Sequence, residues 1–575
     1  MRLLLCAFAL LCGGPCAFAA SAADPAFEAV AKAFIEDFLR LNPEEATDLG
    51  DHRYDDRLRD YSTQGVSERL ATWQKHLAAL DRVPSAQLTG ANRVDARIMR
   101  VQLEAMLFEL TEEKPREWNP LSYNASLANS LYQLTSRDFA PPEQRLRSAI
   151  ARLGALPRVL AQIKATLRNP PRVHIETAIQ QTVGGINLVR TGLDPLLEKA
   201  PRLREDLEPV QAKAIAALEN YQRWLEQSVR PAAHGEFRLG AERFRKKLRF
   251  ALDSEMSPEE IQERAQRDLA RTTEAVYATA LPLYRKYFPD RAGAPLPERP
   301  ALIKAVFDRL AEQRANDATV VDRCKELVTL ATDFVRQNNL VALPDAPIKV
   351  IVLPEFQRGV AIAYCQPPGA LEPNEQTFFA VSPTPQDWTE ARRTSFFREY
   401  NDYMLHDLTV HEAMPGHYLQ LAHSNRFLAP TLIRAIFASG TFVEGWAVYT
   451  ERVMADAGFG GPEVKLQQLK MRLRAIINAI IDQGVHMHGM GEKEAMALMT
   501  GPGFQEEGEA AGKWRRVVQT STQLSTYFVG AAEHDDLRAA AEKREGAGFN
   551  LKKYHDTVLS FGSPPVKYVR AEMGL

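Results

Sequence analysis

One short segment of the 575-residue chain holds two histidines and a carboxylate within seven positions. The segment reads His411-Glu412-Ala413-Met414-Pro415-Gly416-His417. Neutral imidazoles and a carboxylate are the ligands that a catalytic zinc ion takes, with one coordination position left for water. Glu412, directly after the first histidine, stands where the helical HExxH motif of zinc peptidases places its general base. The segment therefore predicts a metallohydrolase site with His411 and His417 as metal ligands.

The six-residue spacing between His411 and His417 needs a physical explanation, because HExxH spaces its histidines four apart. On an unbroken helix the two rings would point roughly 120° apart and lie about 9 Å apart along the axis. One ion must lie about 2.0–2.1 Å from both nitrogens, so a straight helix cannot supply both. Pro415 removes a backbone donor, and Gly416 accepts conformations that other residues resist. We therefore expect a bulge or break that brings His417 back towards His411.

A second segment with carboxylates, Phe442 to Glu451, follows about thirty residues later. Glu444 has apolar or small neighbours there, so its side chain should lie on or near a buried face. Buried carboxylates are normally paired or bound to a metal, which makes Glu444 the expected third ligand. Glu451 lies two helical turns further on, on nearly the same helix face. It could orient a ligand imidazole or, equally, form a salt bridge with a nearby arginine.

His406 and His423 flank the motif and are the alternative ligands if the Pro-Gly pair does not bring His417 round. Histidines in helices are usually surface groups or satisfied core groups, and Pro-Gly is first of all a turn signal. That interpretation leaves a carboxylate in an apolar setting, Glu444, without a reason. We therefore favour a site for one Zn²⁺ per chain.

The chain resembles the bacterial family named domain of unknown function 885, whose members are predicted metallopeptidases of the zincin clan with the hallmark HExxPGHxxQ. Residues His411–Gln420 match that hallmark, and Glu444–Glu451 resembles the second motif of the family. Weaker matches lie at Asn42–Gly50, Asp482–His486 and Ser525–Gly530, so the resemblance extends over nearly the whole chain. The second motif is also similar to the segment that supplies the third zinc ligand in oligopeptidases related to thimet oligopeptidase.

The resemblance implies a mainly α, multi-helical, zincin-like metallopeptidase with its active site deep in a cleft between two halves of the chain. Such a cleft would favour short or unstructured peptides as substrates. Glu412 would take a proton from the attacking water and pass it to the leaving amine. Tyr527 and His486 are the candidates to donate a hydrogen bond to the oxyanion. For each of them the alternative is a buried side chain that only satisfies a partner in the core.

Two other classes of function fit the same residues. The first is a zinc hydrolase that acts on non-peptide amides or esters, since the same chemistry serves those bonds. The second is a non-catalytic protein that binds peptides or stores metal. Glu412 argues against storage, because a storage site has no use for a carboxylate that is not a ligand. The chain has no GxSxG elbow and no phosphate-binding glycine loop, which disfavours serine hydrolases and nucleotide enzymes.

The composition and the first residues fit an exported enzyme. A net charge of −2 gives no electrostatic case for nucleic acid or anionic membranes as partners. Residues 1–22 have the pattern of a signal peptide, with Arg2, an apolar run over 3–12 and a small-x-small site at 17–19. The apolar run is too short to span a membrane, and the residues before Cys16 lack the usual lipoprotein signal. We therefore expect cleavage, periplasmic or secreted location, and no stable membrane insertion afterwards.

Most of the remaining chain has helical periodicity, as in residues 143–168, 202–232, 258–287 and 299–337. Ser257, followed by Pro-Glu-Glu, predicts a helix start, with serine as the N-cap and proline at the first helical position.

Three β-branched or aromatic runs, at 348–353, 360–365 and 376–381, interrupt the helical pattern. They predict a small antiparallel sheet beside the active-site helix, either for packing or as an edge strand that pairs with an extended peptide. We divide the chain into an N-terminal helical half, 23–240, and a catalytic half, 241–575. Neither the oligomeric state nor a pairing of the two cysteines outside the signal peptide follows from the sequence.

Overall fold

The structure is a computed structural model that describes residues 21, 23–345, 348–353, 362–372 and 374–575. The predicted signal peptide therefore lies almost entirely outside the described residues. Helices predominate in the rest, and the expected N-terminal half contains eleven of them. They are α1 (Ala23–Leu41), α2 (Pro43–Leu49), α3 (Thr63–Asp81), α4 (Gly90–Phe108), α5 (Pro115–Trp118), α6 (Pro120–Ser136), α7 (Pro142–Thr166), α8 (Arg172–Thr191), α9 (Asp194–Lys199), α10 (Arg204–Trp224) and α11 (Arg230–Ala232).

The half expected to be catalytic adds fifteen helices to the described part of the chain. They are α12 (Ala241–Leu252), α13 (Pro258–Tyr287), α14 (Arg299–Leu310), α15 (Val320–Gln337), α16 (Glu390–Glu399), α17 (Asp402–Glu412), α18 (His417–Ser424), α19 (Ile433–Ile436), α20 (Gly440–Asp456), α21 (Gly461–His488), α22 (Glu492–Thr500), α23 (Glu507–Gln519), α24 (Ser525–Glu545), α25 (Leu551–Leu559) and α26 (Val566–Glu572). The helical prediction is confirmed, although the pattern over 299–337 proves to be two helices.

The start of α13 shows how local sequence specifies an element. The Ser257 hydroxyl accepts from the amide of Glu260 at 3.2 Å, and the Glu260 carboxylate accepts from the amide of Ser257 at 2.7 Å. This reciprocal capping box satisfies two donors that the first turn leaves free, and Pro258 occupies the first helical position. The predicted N-cap is therefore confirmed.

The sheet has three short strands, β1 (Lys349–Val352), β2 (Ala363–Gln366) and β3 (Phe378–Val381), in the order β1-β3-β2. β3 pairs with β2 antiparallel but with β1 parallel. The prediction of an antiparallel sheet is therefore wrong, because the sheet is mixed. β3 has three buried residues in succession, whereas both ends of β1 are exposed. The most apolar strand takes the central position and separates the two strands that precede it in sequence.

The two halves share buried contacts. Helices α1, α3 and α4 build a core that also includes Ile433 and Tyr568 from the other half. The guanidinium of Arg434 lies 2.6 Å from the carboxylate of Asp95, and both side chains are almost fully buried. Removing only one partner of such a buried ion pair lowers the free energy of unfolding by several kcal/mol. The N-terminal half is therefore packed against residues 241–575 and shares a core with them.

The described residues include no helix long and apolar enough to cross a membrane. Cys324 is buried, Cys365 is half-buried, and neither forms a disulfide. Burial raises the pKa of the Cys324 thiol to about 12, so this cysteine stays protonated and inert.

Candidate metal centre

The Pro-Gly pair ends α17 and starts α18 in a new direction. α17 stops at Glu412, and α18 begins at His417. The amide of Gly416 donates to the carbonyl of Val410 at 2.9 Å, which folds the turn back over the end of α17. A Cβ on Gly416 would lie only 1.9 Å from the carbonyl oxygen of His411, so no other residue fits this turn. The expected break is present, and proline and glycine allow it.

The break brings the two imidazoles together with a carboxylate from α20. The rings of His411 and His417 lie 4.7 Å apart at 84° to each other. The Nε2 atoms of His411 and His417 lie 3.5 and 3.4 Å from the same oxygen of Glu444. Ligands about 2.0–2.1 Å from a tetrahedral zinc ion are separated by about 3.3–3.4 Å. The three side chains are therefore spaced as such a site requires.

One buried carboxylate oxygen at this point lacks the partner that a metal could supply. Oε2 of Glu444 is buried and accepts no hydrogen bond from the described residues. Burial opposes ionisation of Glu444, yet His411 and His417 hold the pKa of its carboxyl well below the usual range. One ligand atom from each of these residues lies within 4.8 Å of the others. His411 and His417 as neutral imidazoles, together with Glu444 as a carboxylate, could hold a divalent cation.

Glu451 lies behind the first histidine. Nδ1 of His411 donates to its carboxylate at 2.7 Å, which leaves Nε2 directed at Glu444. Burial opposes the charge on His411, but the nearby carboxylates of Glu444 and Glu451 outweigh burial and raise the pKa of His411. A carboxylate that fixes the tautomer and orientation of a ligand imidazole is typical of metal sites. Of the two readings of Glu451, the geometry matches the orienting one.

A further buried carboxyl, that of Asp407, lies one turn before His411 on α17. This residue was not predicted. Its Oδ2 atom has no hydrogen-bond partner among the described residues. Burial and the nearby Glu451 raise its pKa well above the ordinary range, which favours the protonated form. Its position on the buried face of α17 is the one signal that could have indicated it.

The base candidate, Glu412, has a different environment from the ligands. It is half-buried and lines the same cavity, and its carboxylate accepts from the amide of Cys365 at 2.9 Å. That amide belongs to β2, so the sheet holds the carboxylate beside the metal ligands. Glu412 is not part of the ligand cluster. Among the described residues only one of the two oxygens of Glu412 accepts a hydrogen bond, and a carboxylate with its other oxygen available next to the ligands is the arrangement that a general base requires.

Tyr527 also reaches the cavity, from the first turn of α24. Its hydroxyl oxygen accepts from Arg516 at 3.2 Å and from Gln523 at 3.1 Å. Burial and the charge of Glu444 raise the pKa of Tyr527, so the phenol keeps its proton. Two donors at the oxygen leave its own hydrogen free to be donated to a group in the cavity. Arg516 and Gln523 were not predicted, because nothing in their local sequence links them to the motif.

A close helix crossing sets Tyr527 against Glu444. A Cβ on Gly445 would lie 2.4 Å from the backbone of Gly530, and a Cβ on Gly530 would lie 2.0 Å from the carbonyl oxygen of Thr441. Two glycines therefore allow α20 and α24 to touch backbone to backbone. Each glycine is within three residues of a side chain that lines the cavity. The crossing fixes the distance between the third ligand and the tyrosine.

The prediction for His486 is not supported by its position. Nε2 of His486 donates to the carbonyls of Val517 and Thr520 at 2.8 Å each, and its ring stacks on Phe244. It does not line the cavity. The imidazole instead caps the carboxyl end of α23, where the last carbonyls lack partners. This correction assigns His486 to the core alternative.

The neighbouring Asp482 has a related structural role. Its carboxylate accepts from the amides of Thr522 and Ser525 at 3.0 and 3.1 Å, at the start of α24. A buried carboxylate at the amino end of a helix is stabilised by unpaired amides and by the helix dipole. The segment from Asp482 to His486 thus holds α23 and α24, and with them Arg516 and Tyr527.

The alternative histidines are bound elsewhere. Nδ1 of His406 donates to the carbonyl of Asp402, and Nε2 of His423 donates to the carbonyl of Ala342, each at 2.8 Å. Neither lies in a cluster of metal-ligating groups among the described residues.

The ligands, the base and the tyrosine line one cavity of about 440 Å³, within the range of small-ligand sites. A second cavity of about 420 Å³, lined by residues of both halves, contains none of these residues. The cavity around the ligands is therefore the candidate site.

Solved structures of other proteins share the fold of this chain. A lipoprotein candidate of unknown function from Shewanella oneidensis is similar in structure, with 31% identity, a TM-score of 0.79, and coverage of 96% of this chain and 100% of its own. A candidate lipoprotein from Colwellia psychrerythraea shares the fold at 18% identity and a TM-score of 0.78, covering 96% and 98%. No curated protein matches the chain. The profile of the family described as "bacterial protein of unknown function (DUF885)" matches residues 43–573, and the chain belongs to that family.

Proposed function

We propose that this chain is an exported, zinc-dependent metallopeptidase with a zincin-like site that hydrolyses short or unstructured peptides. The observation that carries the proposal is the convergence of His411, His417 and Glu444 on one point, with Glu412 beside them but outside the cluster. Three ligands and an adjacent base are the composition of a catalytic zinc site.

A bound zinc ion would polarise the scissile carbonyl and acidify a water molecule. Glu412 takes the proton of that water on the carboxylate oxygen that Cys365 leaves free, and later donates it to the leaving amine. The Tyr527 hydroxyl donates to the oxyanion as it forms, and Arg516 keeps the phenol oxygen in place. Glu451 keeps His411 in the tautomer that binds metal through Nε2.

The edge of the sheet supports a peptide substrate. β2 is an edge strand, and its residues Ala363, Tyr364 and Cys365 line the cavity. An extended peptide can add to such an edge by main-chain hydrogen bonds. Esters and simple amides lack that repeated backbone pattern, so this observation favours peptides over the alternative substrates. A peptide-binding or metal-storing protein would not need Glu412.

The experiment compares Glu412→Gln with Glu494→Gln, a control at an exposed glutamate on α22. Both variants should retain one zinc per chain, measured by mass spectrometry. Hydrolysis of a peptide pool should fall by about 10²–10⁴-fold in Glu412→Gln alone, because glutamine keeps the shape but not the basicity. His411→Ala and Glu444→Ala should release the metal.

Three results would contradict parts of the proposal. Loss of zinc from Glu412→Gln would make Glu412 a ligand. Full activity in that variant would favour the binding protein. Cleavage of simple esters but of no peptide would select the other hydrolase class.

Export is proposed on the sequence of residues 1–22 and on the two similar structures, which are themselves candidate lipoproteins. The mature protein from its native host should begin between Ala20 and Asp24. An intact Met1 would exclude a cleaved signal peptide, and a lipid on Cys16 would replace simple cleavage by anchoring.

A further inference from the structure

Two cations on α23 line the metal cavity without a carboxylate partner. Lys513 and Arg516 are three residues apart and therefore share a helix face. Among the described residues, Arg516 donates to two neutral oxygens, those of Gln523 and Tyr527, and to no carboxylate. Lys513 makes no hydrogen bond or ion pair with any described residue, although the residue is only 9% exposed.

Most of the other charged groups around the cavity already have a charged partner, and the carboxylate of Glu412 accepts from the amide of Cys365. Arg474 contacts Glu399 and Glu509. Glu444 and Glu451 contact the histidine ligands. Lys513 and Arg516 are thus the cations of this cavity that have no counter-ion in the described part of the protein.

A buried lysine without a counter-ion is costly, because its charge has lost its hydration. Burial lowers the pKa of Lys513 to about 7, since Glu509 offsets only part of the loss and Arg516 adds to it. A bound anion would remove that cost. Carboxylates suit this pair, because an ammonium and a guanidinium can each donate to one carboxylate.

We propose that Lys513 and Arg516 form a subsite for a peptide carboxylate, so that the enzyme prefers peptides with a free C-terminus near the scissile bond. The inference rests on the proposed function, because the subsite lies in the cavity of the metal ligands. Arg516 also bonds to Tyr527, which links carboxylate binding to the tyrosine that faces the metal centre.

The source of the carboxylate has one structural alternative. Lys513 and Arg516 also line an adjoining cavity of about 560 Å³, which Trp388 and Arg392 line as well. A longer peptide could continue into that space and offer an Asp or Glu side chain to the same cations. The chemistry is shared, and matched peptides distinguish the two sources.

The test measures binding, so that it does not depend on turnover. Zinc-loaded Glu412→Gln protein is titrated with N-acetylated five-residue peptide pools as free acids and as C-terminal amides. Two further amidated pools contain either Glu or Gln at internal positions. The free-acid pool should bind at least about 10-fold more tightly than its amide. Adding Lys513→Met should abolish the preference, and Lys513→Arg should restore most of it.

Lys493→Met, at an exposed lysine on α22, is the control and should keep the preference. Tighter binding of the Glu pool than the Gln pool, lost in Lys513→Met, would support the subsite and identify a side-chain carboxylate. Equal binding of all pools, or a preference that survives Lys513→Met, would overturn the inference.

The two proposals fail in different ways. A protein that prefers free acids but cleaves no peptide would retain the subsite and lose the peptidase. A protein that cleaves acids and amides with equal kcat/KM would retain the peptidase and lose the subsite.

Discussion

Replacing Gly530 by alanine tests the helix crossing that sets Tyr527 against Glu444. The added Cβ would lie 2.0 Å from the carbonyl oxygen of Thr441 and 2.7 Å from the Cα of Gly445. Both are backbone atoms, which cannot turn away as a side chain can. An ordinary contact of 3.4 Å to that oxygen requires α24 to move by about 1.4 Å. Overpacking of this kind lowers the free energy of unfolding by about 1–3 kcal/mol, or more when backbone must shift.

The displacement should separate binding from catalysis. His411, His417 and Glu444 lie on α17, α18 and α20, so the metal ligands keep their spacing when α24 moves. Tyr527 lies on α24 and moves away from them. We expect retained zinc and a fall in kcat/KM for peptides of about 100-fold, the cost of a misplacement near 1 Å.

Gly184, in the middle of α8, provides a matched control. A Cβ there would have no atom within 4 Å. Alanine at this position should raise the free energy of unfolding by about 0.5–1 kcal/mol, because glycine is a poor helix former. Urea unfolding, zinc content and peptide kinetics of both variants give the comparison. A Gly530→Ala protein as stable as Gly184→Ala, or as active as the unmodified protein, would refute the reasoning.

Two other variants test single side chains. Glu451→Gln weakens the acceptor of the His411 Nδ1–H bond and should lower zinc affinity by about 10–100-fold, measured by chelator competition; unchanged affinity would remove Glu451 from the site. Lys513→Met should raise stability at pH 7, by at most about 5 kcal/mol, because the folded-state pKa of Lys513 is about 7 against 10.5 for the free side chain. Between pH 7 and pH 10.5 the unfolded chain binds more protons than the folded protein, so the wild type gains stability as the pH rises through this range. The difference in urea midpoint between Lys513→Met and the wild type should therefore become smaller from pH 7 to pH 9.5. A difference in urea midpoint between the two proteins that does not change with pH would show that Lys513 is not desolvated.

The residues near the motif could be predicted because their chemistry is local. The ligand types, the base and the need for a break at Pro415-Gly416 follow from bond lengths and helix geometry. For Glu451 the sequence left two interpretations open, a carboxylate that orients an imidazole or a salt bridge with an arginine, since its partner His411 is 40 residues away in sequence. Only the packing of α17 on α20 decides between them.

The distant parts of the site could not be predicted in the same way. His486 and Tyr527 looked equivalent as polar residues in weak motifs, but one caps α23 and the other lines the cavity. Lys513 and Arg516 carry no motif at all. The prediction of an antiparallel sheet was wrong for the same reason, because burial of β3 between its neighbours is a property of the whole fold.

The hydrogen bonds of Arg137 have a consequence for how this protein can be shortened or recombined. This arginine, from the loop after α6, donates to the carbonyls of Gln366 at 3.1 Å and Gln376 at 2.7 Å, which flank the loop between β2 and β3. The amide that holds Glu412 belongs to β2, one residue before Gln366. Arg137, 229 positions before Gln366 in the chain, thus helps to fix β2, the strand whose amide binds Glu412.

Residues 241–575 therefore cannot be moved into another protein as an independent unit, although they contain all three proposed metal ligands. Expressed alone, they would lose the Arg137 donor at the sheet and leave the buried guanidinium of Arg434 without Asp95, the nearer of its two carboxylate partners. Chimeras between relatives should exchange the two halves together with the contacts of Arg137 and Asp95. Natural variation at these two positions is expected to follow the residues that they touch on the other side of the chain.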